Sequence, residues 1–445
     1  MSRTQVQTYF DELADWSTAQ LHADEELLIG FEGEATDFVR FNHGDIRQAG
    51  SVEQATLNLD LIEGAKHTEG SVVLAREWSM DQARVSAMLD QLRDQRRLVP
   101  EDPYLLYNTE PANSETVVEN ALPPPEDALA DIRQATGSAD MVGIYAAGDT
   151  FTGFANSLGQ RNWHQAASFN LDWSFYLRAD KAAKNLYAGF EWDDDAFESK
   201  VAWSRQQIEA LDREPLELDP GDYRTYLAPA AFLELMDLWA WGGFSEKSHQ
   251  TKQTPLLRMV TEDATIDESV RVSEDTAGGV APNFQEAGFA RPDEVVLIDA
   301  GAYASTLVSP RSAMEFGVDA NGASAWEAPE SMSVAAGSLP HGDALGELGT
   351  GLYVGNLWYT NFSDRAACRT TGMTRFATFW AEDGEVVAPV NVMRFDDTIY
   401  SLLGEHLVAL TDKAEVILDP ATYERRSTRS FLLPGVLVEE VRFTL

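Results

Sequence analysis

Residues 38–64 read FVRFNHGDIRQAGSVEQATLNLDLIEG, and their apolar residues recur with a period of two. In the second half Ala55, Leu57, Leu59 and Leu61 alternate with Thr56, Asn58 and Asp60, which divides the side chains between two faces of a half-buried strand. LLIGF (27–31) and DFVRF (37–41) extend the pattern upstream, and another strand is expected near Val72 to Ala75. The connections are only a few residues long, too short for parallel crossovers, so an antiparallel meander is expected. Helices flank it. Val6, Tyr9, Phe10, Leu13 and Trp16 are spaced for one helical face. Ser79 followed by Gln82 has the form of a capping box for a second helix carrying Val85, Met88, Leu89 and Leu92.

Beyond this first unit, 1–107, the stretch 108–127 (NTEPANSETVVENALPPPED) concentrates Pro111, Pro123, Pro124 and Pro125 and reads as a stiff extended linker. A central α/β unit, 128–220, follows. It carries a helix near 126–135, strand patterns in MVGIYAAG (141–148) and SFNLDWSFYLRA (168–179), and a helix from about Asp194 to Leu211. The remainder, 221–445, opens with a helix in YLAPAAFLELMDLWAWGGF, stopped by Gly242 and Gly243, and then becomes rich in strands. Its clearest hairpin is MTRFATFWAEDGEVVAPV (373–390), with Asp383 and Gly384 as the two-residue turn. The expected class is α+β.

The chain has 445 residues, and 73 Asp and Glu against 33 Lys and Arg give a formal charge of −40. Binding to nucleic-acid phosphates depends on a cationic face that this balance does not provide. With 44% apolar and 10% aromatic residues the chain can still bury a core. Acidic residues spread along the whole chain, with lysine scarce, suggest a protein adapted to concentrated salt, where screening removes self-repulsion. One cysteine excludes an internal disulfide framework. MSRTQVQTYFDELADW has no apolar signal core and no run approaches a membrane span, so a cytoplasmic protein with no membrane partner is expected.

The seven histidines stand singly, none in an HExxH or HExxxH pattern, and there is no GxSxG elbow, P-loop or convincing GxGxxG. Cys368 reads either as a histidine-activated nucleophile or as a small, partly buried, unreactive residue. Glu246 and His249, after the glycine-stopped helix in GGFSEKSHQTK, fit a carboxylate and imidazole in a cleft, or solvated loop residues. Glu405 and His406, in the apolar stretch LLGEHLVAL, read as a metal pair or as a strand-borne histidine satisfied by hydrogen bonds. The run WDDD (192–195) lacks calcium-loop spacing and reads as an acidic first turn of a helix.

Together, 38–64, FANSLGQRNWHQAASFNLDWSFYLRADKAAKNLYAGFEW (154–192) and GLYVGNLWYTNFSDRAACRTTGMTRFATFWAEDGEVVAPVNVMRFDD (351–397) resemble the N-terminal, central and C-terminal domains of the TldD/PmbA family, in order and spacing. The hairpin from Asp383 to Val390 resembles the family's enGxxxxPV pattern. The resemblance implies a cytoplasmic system that cleaves unfolded or extended peptides, with zinc held by an HExxxH helix and a later cysteine of the TldD-type subunit. Here the corresponding segment, 226–249, has no histidine before His249, and past His406 there is no Cys or His. The chain therefore resembles the metal-free PmbA/TldE type, and zinc is expected only in a TldD-like partner. Ser245, Glu246 and His249 become candidate peptide-binding residues by position. A self-associated dimer is the other expected assembly. The alternatives are an autonomous hydrolase with an unusual site and a peptide-binding or maturation factor.

Overall fold

The computed structural model describes residues 3–118, 122–178, 181–422 and 424–444. The chain begins with α1 (Arg3–Thr18), then β1 (Glu26–Asn42), β2 (Asp45–Glu63), β3 (Lys66–Val73) and α2 (Trp78–Arg96). Next come β4 (Ser114–Val118), α3 (Pro125–Thr136), β5 (Met141–Asn156), β6 (Arg161–Arg178), β7 (Lys181–Gly189) and α4 (Asp194–Leu211). The seven strands form one sheet in the order β3-β2-β1-β5-β6-β4, with β7 also on β6. All pairings are antiparallel except β4 on β6, and the β1–β2–β3 meander follows from the short turns.

One face of this sheet is covered by helices. Phe10 and Leu13 of α1 and Val85, Leu89 and Leu92 of α2 bury against Leu57, Leu59 and Leu61. On the central strands Ala128 and Ile132 of α3 and Phe197 and Val201 of α4 pack on Phe169, Leu171 and Trp173. The WDDD run starts α4 as expected: the Asp193 carboxylate accepts the Ala196 N–H, and Asp194 and Asp195 lie in the first turn, where the helix dipole favours negative charge.

Two local expectations are corrected. Ser79 and Gln82 form no capping box, since the N-cap of α2 is Glu77 and makes no side-chain cap bond. The local tie comes instead from Asp81, fully buried, whose carboxylate accepts the Ala75 and Arg76 N–H groups and the Tyr9 hydroxyl. The stretch 108–127 supplies structure as well as connection: SETVV adds strand β4 to the sheet edge, and Pro125 opens α3 at a position where its missing N–H costs nothing. Residues 119–121 of that stretch lie outside the described residues.

The second half contains β8 (Gly221–Leu227), α5 (Pro229–Gly243), α6 (Glu246–Gln250), α7 (Leu257–Thr261), β9 (Val272–Glu274), β10 (Val295–Asp299), β11 (Ala302–Tyr303) and α8 (Pro310–Phe316). It continues with β12 (Ser331–Val334), α9 (Ala344–Leu348), β13 (Gly351–Asp364), β14 (Arg369–Glu382), β15 (Glu385–Pro389), β16 (Arg394–Thr398), β17 (Leu407–Leu418) and β18 (Ser430–Phe443). These eleven strands form a mixed sheet ordered β11-β10-β9-β12-β18-β16-β14-β13-β8, in which β8 also pairs with β18 and so closes a ring. The amphipathic α5 buries Phe232, Leu235, Met236 and Trp239 in the main core. Tyr226 and Leu227, read above as part of that helix, belong to β8; Pro229 at the first helical turn marks the change. The Asp383–Gly384 turn has positive φ at both residues, 49° and 81°, as a two-residue hairpin turn requires.

Candidate functional site

The face of the first sheet without helices meets the second half of the chain. Phe284 packs with Leu28, Ile62 and Phe154, the His164 ring nitrogen Nε2 lies 3.0 Å from the Val280 carbonyl, and Arg425 pairs with Glu32. Between the two halves lies a cleft of about 560 Å3. Asp60 and His67 reach it from β2 and β3, Asp102 from the segment after α2, and Glu286, Arg291 and Arg311 from the opposite wall.

The His67 imidazole organises one end of the cleft. Its Nδ1 lies 3.1 Å from both Asp60 carboxylate oxygens and its Nε2 is 3.5 Å from Asp102. The hydrogen bond to Asp60 raises the His67 pKa above its ordinary value against the cost of burial, which favours the imidazolium. Asp102 then accepts from Arg311 and from the Tyr104 N–H, and the Arg311 guanidinium lies over the Tyr104 ring. A chain of charges thus connects β2, β3, the post-α2 segment and α8. Ligand atoms of Asp60, His67 and Glu69 lie within 4.8 Å of one another. One imidazole and two carboxylates could hold a divalent cation, in competition with the proton that the Asp60 hydrogen bond favours on His67.

Ser245, Glu246 and His249 come together, but behind this cleft. All three are buried, at 6 to 8% exposure, and therefore do not form a solvated loop. Ser245 caps α6 by accepting the Ser248 N–H, and its hydroxyl donates to Glu327 over 2.7 Å. Glu246 accepts from the Thr306 hydroxyl and the Gln250 amide. His249 donates from Nε2 to the Gly243 carbonyl at 2.7 Å and packs on the Tyr303 ring; burial lowers its pKa, which favours the neutral ring.

Glu327 was not legible as a site residue, yet it joins this group to the cleft wall. Burial alone would raise its pKa, but hydrogen bonds from the Ser245 and Ser312 hydroxyls and the Ser309 and Lys247 N–H groups hold it below the usual carboxylate value. Ser309 lines the cleft and begins α8, which carries Arg311. The signal in the sequence would have been one of the two acids in SAWEAPES, Glu327 and Glu330, with nothing local to single it out.

The other candidates lie elsewhere. Cys368 is fully buried with a positive φ of 47°, and burial pushes its thiol pKa up, away from the reactive thiolate. His406 is not borne on a strand: it closes a π-helical turn over Ser401–Glu405, because its N–H bonds the Ser401 carbonyl before β17 begins. Its ring faces Glu440 at 3.9 Å. Along α5 the titratable side chains are Glu234 and Asp237, and Asp237 pairs with Arg429. The helix α5 offers no imidazole or thiol beside His249 and Cys368 is fully buried, so among the described residues these side chains do not assemble the nitrogen and sulfur ligand set of a catalytic zinc. Among the described residues no helix is long and apolar enough to cross a membrane.

A sheet roofed by helices, joined through a charged cleft to a ring-closed mixed sheet, defines an α+β fold. Residues 220–445 match the PmbA/TldA metallopeptidase C-terminal domain, and the chain belongs to the TldD/PmbA family. Its fold is similar to that of TldE from Thermococcus kodakarensis, with a TM-score of 0.78 at 16% identity over 98% of this chain and 100% of that one. It is also similar to candidate modulators of DNA gyrase from Thermotoga maritima (TM-score 0.74, 13% identity, 99% and 100% covered) and Bacteroides thetaiotaomicron (0.75, 14%, 100% of both). No curated protein matches the chain significantly.

Proposed function

We propose that the chain is the TldE/PmbA-like, non-cleaving subunit of a cytoplasmic metallopeptidase system acting on unfolded or extended peptides. The observation that carries this reading is the chemistry of α5 and its surroundings: the helix bears no imidazole or thiol, and among the described residues His249 joins no cluster of potential metal ligands. In this reading zinc and bond cleavage belong to a TldD-like partner, while this chain guides peptide through the cleft. Ser245, Glu246 and His249 then act as supports behind the wall, fixing Glu327, α6 and α8 in place.

The test is cleavage of an unfolded protein such as reduced casein, in molar salt, by this chain alone, by a TldD-type protein of the same genome alone, and by both together. The expected result is chelator-sensitive cleavage only by preparations containing the TldD-type protein, enhanced by this chain. Chelator-sensitive cleavage by this chain alone overturns the reading. The autonomous cysteine hydrolase predicts loss of activity in Cys368→Ala; the burial of that thiol argues for no loss.

A further inference from the structure

A second cavity, of about 400 Å3, lies on the same face of the first sheet. The segment carrying Arg425, paired with Glu32, and Arg426 separates it from the cleft. Four cations line this cavity, Arg40, Arg47, Lys184 and Arg426, against two carboxylates, Asp172 and Asp419. In a chain of charge −40 such a cationic concavity is unexpected, since carboxylates claim many of the arginines elsewhere: Arg93 by Glu25, Arg429 by Asp237, Arg442 by Asp222.

The individual cations differ in what they have left to give. Lys184 is paired with Asp172 at 3.0 Å. Arg426 is buried, and its guanidinium donates to the Gly148 and Ser168 carbonyls and the Ser168 hydroxyl; burial lowers its pKa, and Glu34 and Asp149 nearby oppose that only in part. Arg40 and Arg47 project from the paired strands β1 and β2, are exposed at the rim, and make no side-chain hydrogen bond or ion pair among the described residues. Phe41, Val142, Ile144 and Phe376 supply an apolar wall beside them. Low-dielectric walls focus the field of the cations on the cavity, and an arginine fork matches a carboxylate in shape.

We infer that this cavity binds a carboxylate attached to an apolar group, held by Arg40 and Arg47 over the floor formed by Arg426. The free C-terminus of an extended peptide is the source that fits the function proposed above, and to that extent the inference rests on it. The experiment is calorimetric titration of the whole chain in molar potassium chloride with an acetylated alanine-rich pentapeptide ending in phenylalanine, with the same peptide as its C-terminal amide, and with phenylacetate. Each is repeated on the Arg40→Gln, Arg47→Gln double variant, whose changes lie at exposed rim positions.

The free acid is expected to bind at least about tenfold more tightly than the amide, and the double variant to lose about tenfold for the acid while keeping its melting temperature. Equal binding of acid and amide, or an unaltered acid affinity in the variant, overturns the inference. Binding of phenylacetate but not of the peptide, lost in the variant, upholds the carboxylate site and removes the peptide source. Absence of binding heat from both the free-acid peptide and phenylacetate overturns it.

Discussion

Glu274 on β9 illustrates how burial and hydrogen bonding oppose each other in one side chain. Its carboxylate accepts the N–H groups of Glu330 and Ser331, but burial, with Glu330 close by, lifts its pKa to about 7. A carboxyl whose folded value exceeds its unfolded value of 4.5 contributes stability that is full below 4.5 and disappears as pH rises through about 7. Glu274→Gln keeps an acceptor oxygen and removes the charge, so the variant is expected to be more stable than the parent at pH 8 by about 3 kcal/mol, with the advantage vanishing near pH 4. Thermal melts at the two values check this; an equal loss at both contradicts it. Glu327 has the opposite sign. Hydrogen bonds hold its pKa down despite burial, so its contribution is present above the unfolded value and lost in acid. Glu327→Gln is expected to cost about 2 kcal/mol at pH 7 in denaturant unfolding, because charge-assisted bonds to four donors are weakened. An unchanged midpoint would mean that the carboxylate does not tie α6 to α8.

Among the elements, α1 is held to the sheet chiefly by Phe10, fully buried among Phe31 and Trp163 and lying directly over Gly153. A Cβ at Gly153 would stand 2.7 Å from the Phe10 ring, so strand and helix are fitted to each other at this point. Phe10→Ala is expected to cost about 3 to 5 kcal/mol and to increase hydrogen exchange over α1 before other helices. Uniform exchange along the chain would show that α1 does not open as a separate unit. Such elements were legible because periodicity and burial coincide: α4 runs from Asp194 to Leu211 as its pattern requires, and the Asp383–Gly384 hairpin has turn chemistry with one solution. β4 was hidden by the prolines around it, and the turn before His406 by apolar residues that suit strand and helix alike. The cleft was beyond reach of the sequence for a different reason. Asp102 and Arg311 are 209 residues apart, and only the docking of the two halves makes them partners. Position after a helix grouped Ser245, Glu246 and His249, but it carries no information about whether they face a cavity or stand behind its wall.

At the scale of the whole molecule the charge of −40 acts on every equilibrium. Exposed carboxylates repel at low ionic strength and are screened over about 3 Å at 1 M salt, so the melting temperature is expected to rise steeply between about 0.1 and 1 M potassium chloride. A flat dependence would argue against the reading of the surface as an adaptation to salt. The same repulsion would suppress any dimer in dilute buffer, so partner binding belongs in molar salt. The central claim, that bond cleavage resides in a partner, turns on whether this chain binds a catalytic zinc, which takes three protein ligands. Plasma mass spectrometry on the chain expressed alone and purified in molar salt measures it most directly. The account predicts far less than one zinc per chain; about one zinc per chain, retained through dialysis and also in a His67→Gln variant that removes the imidazole of the cleft cluster, would contradict it.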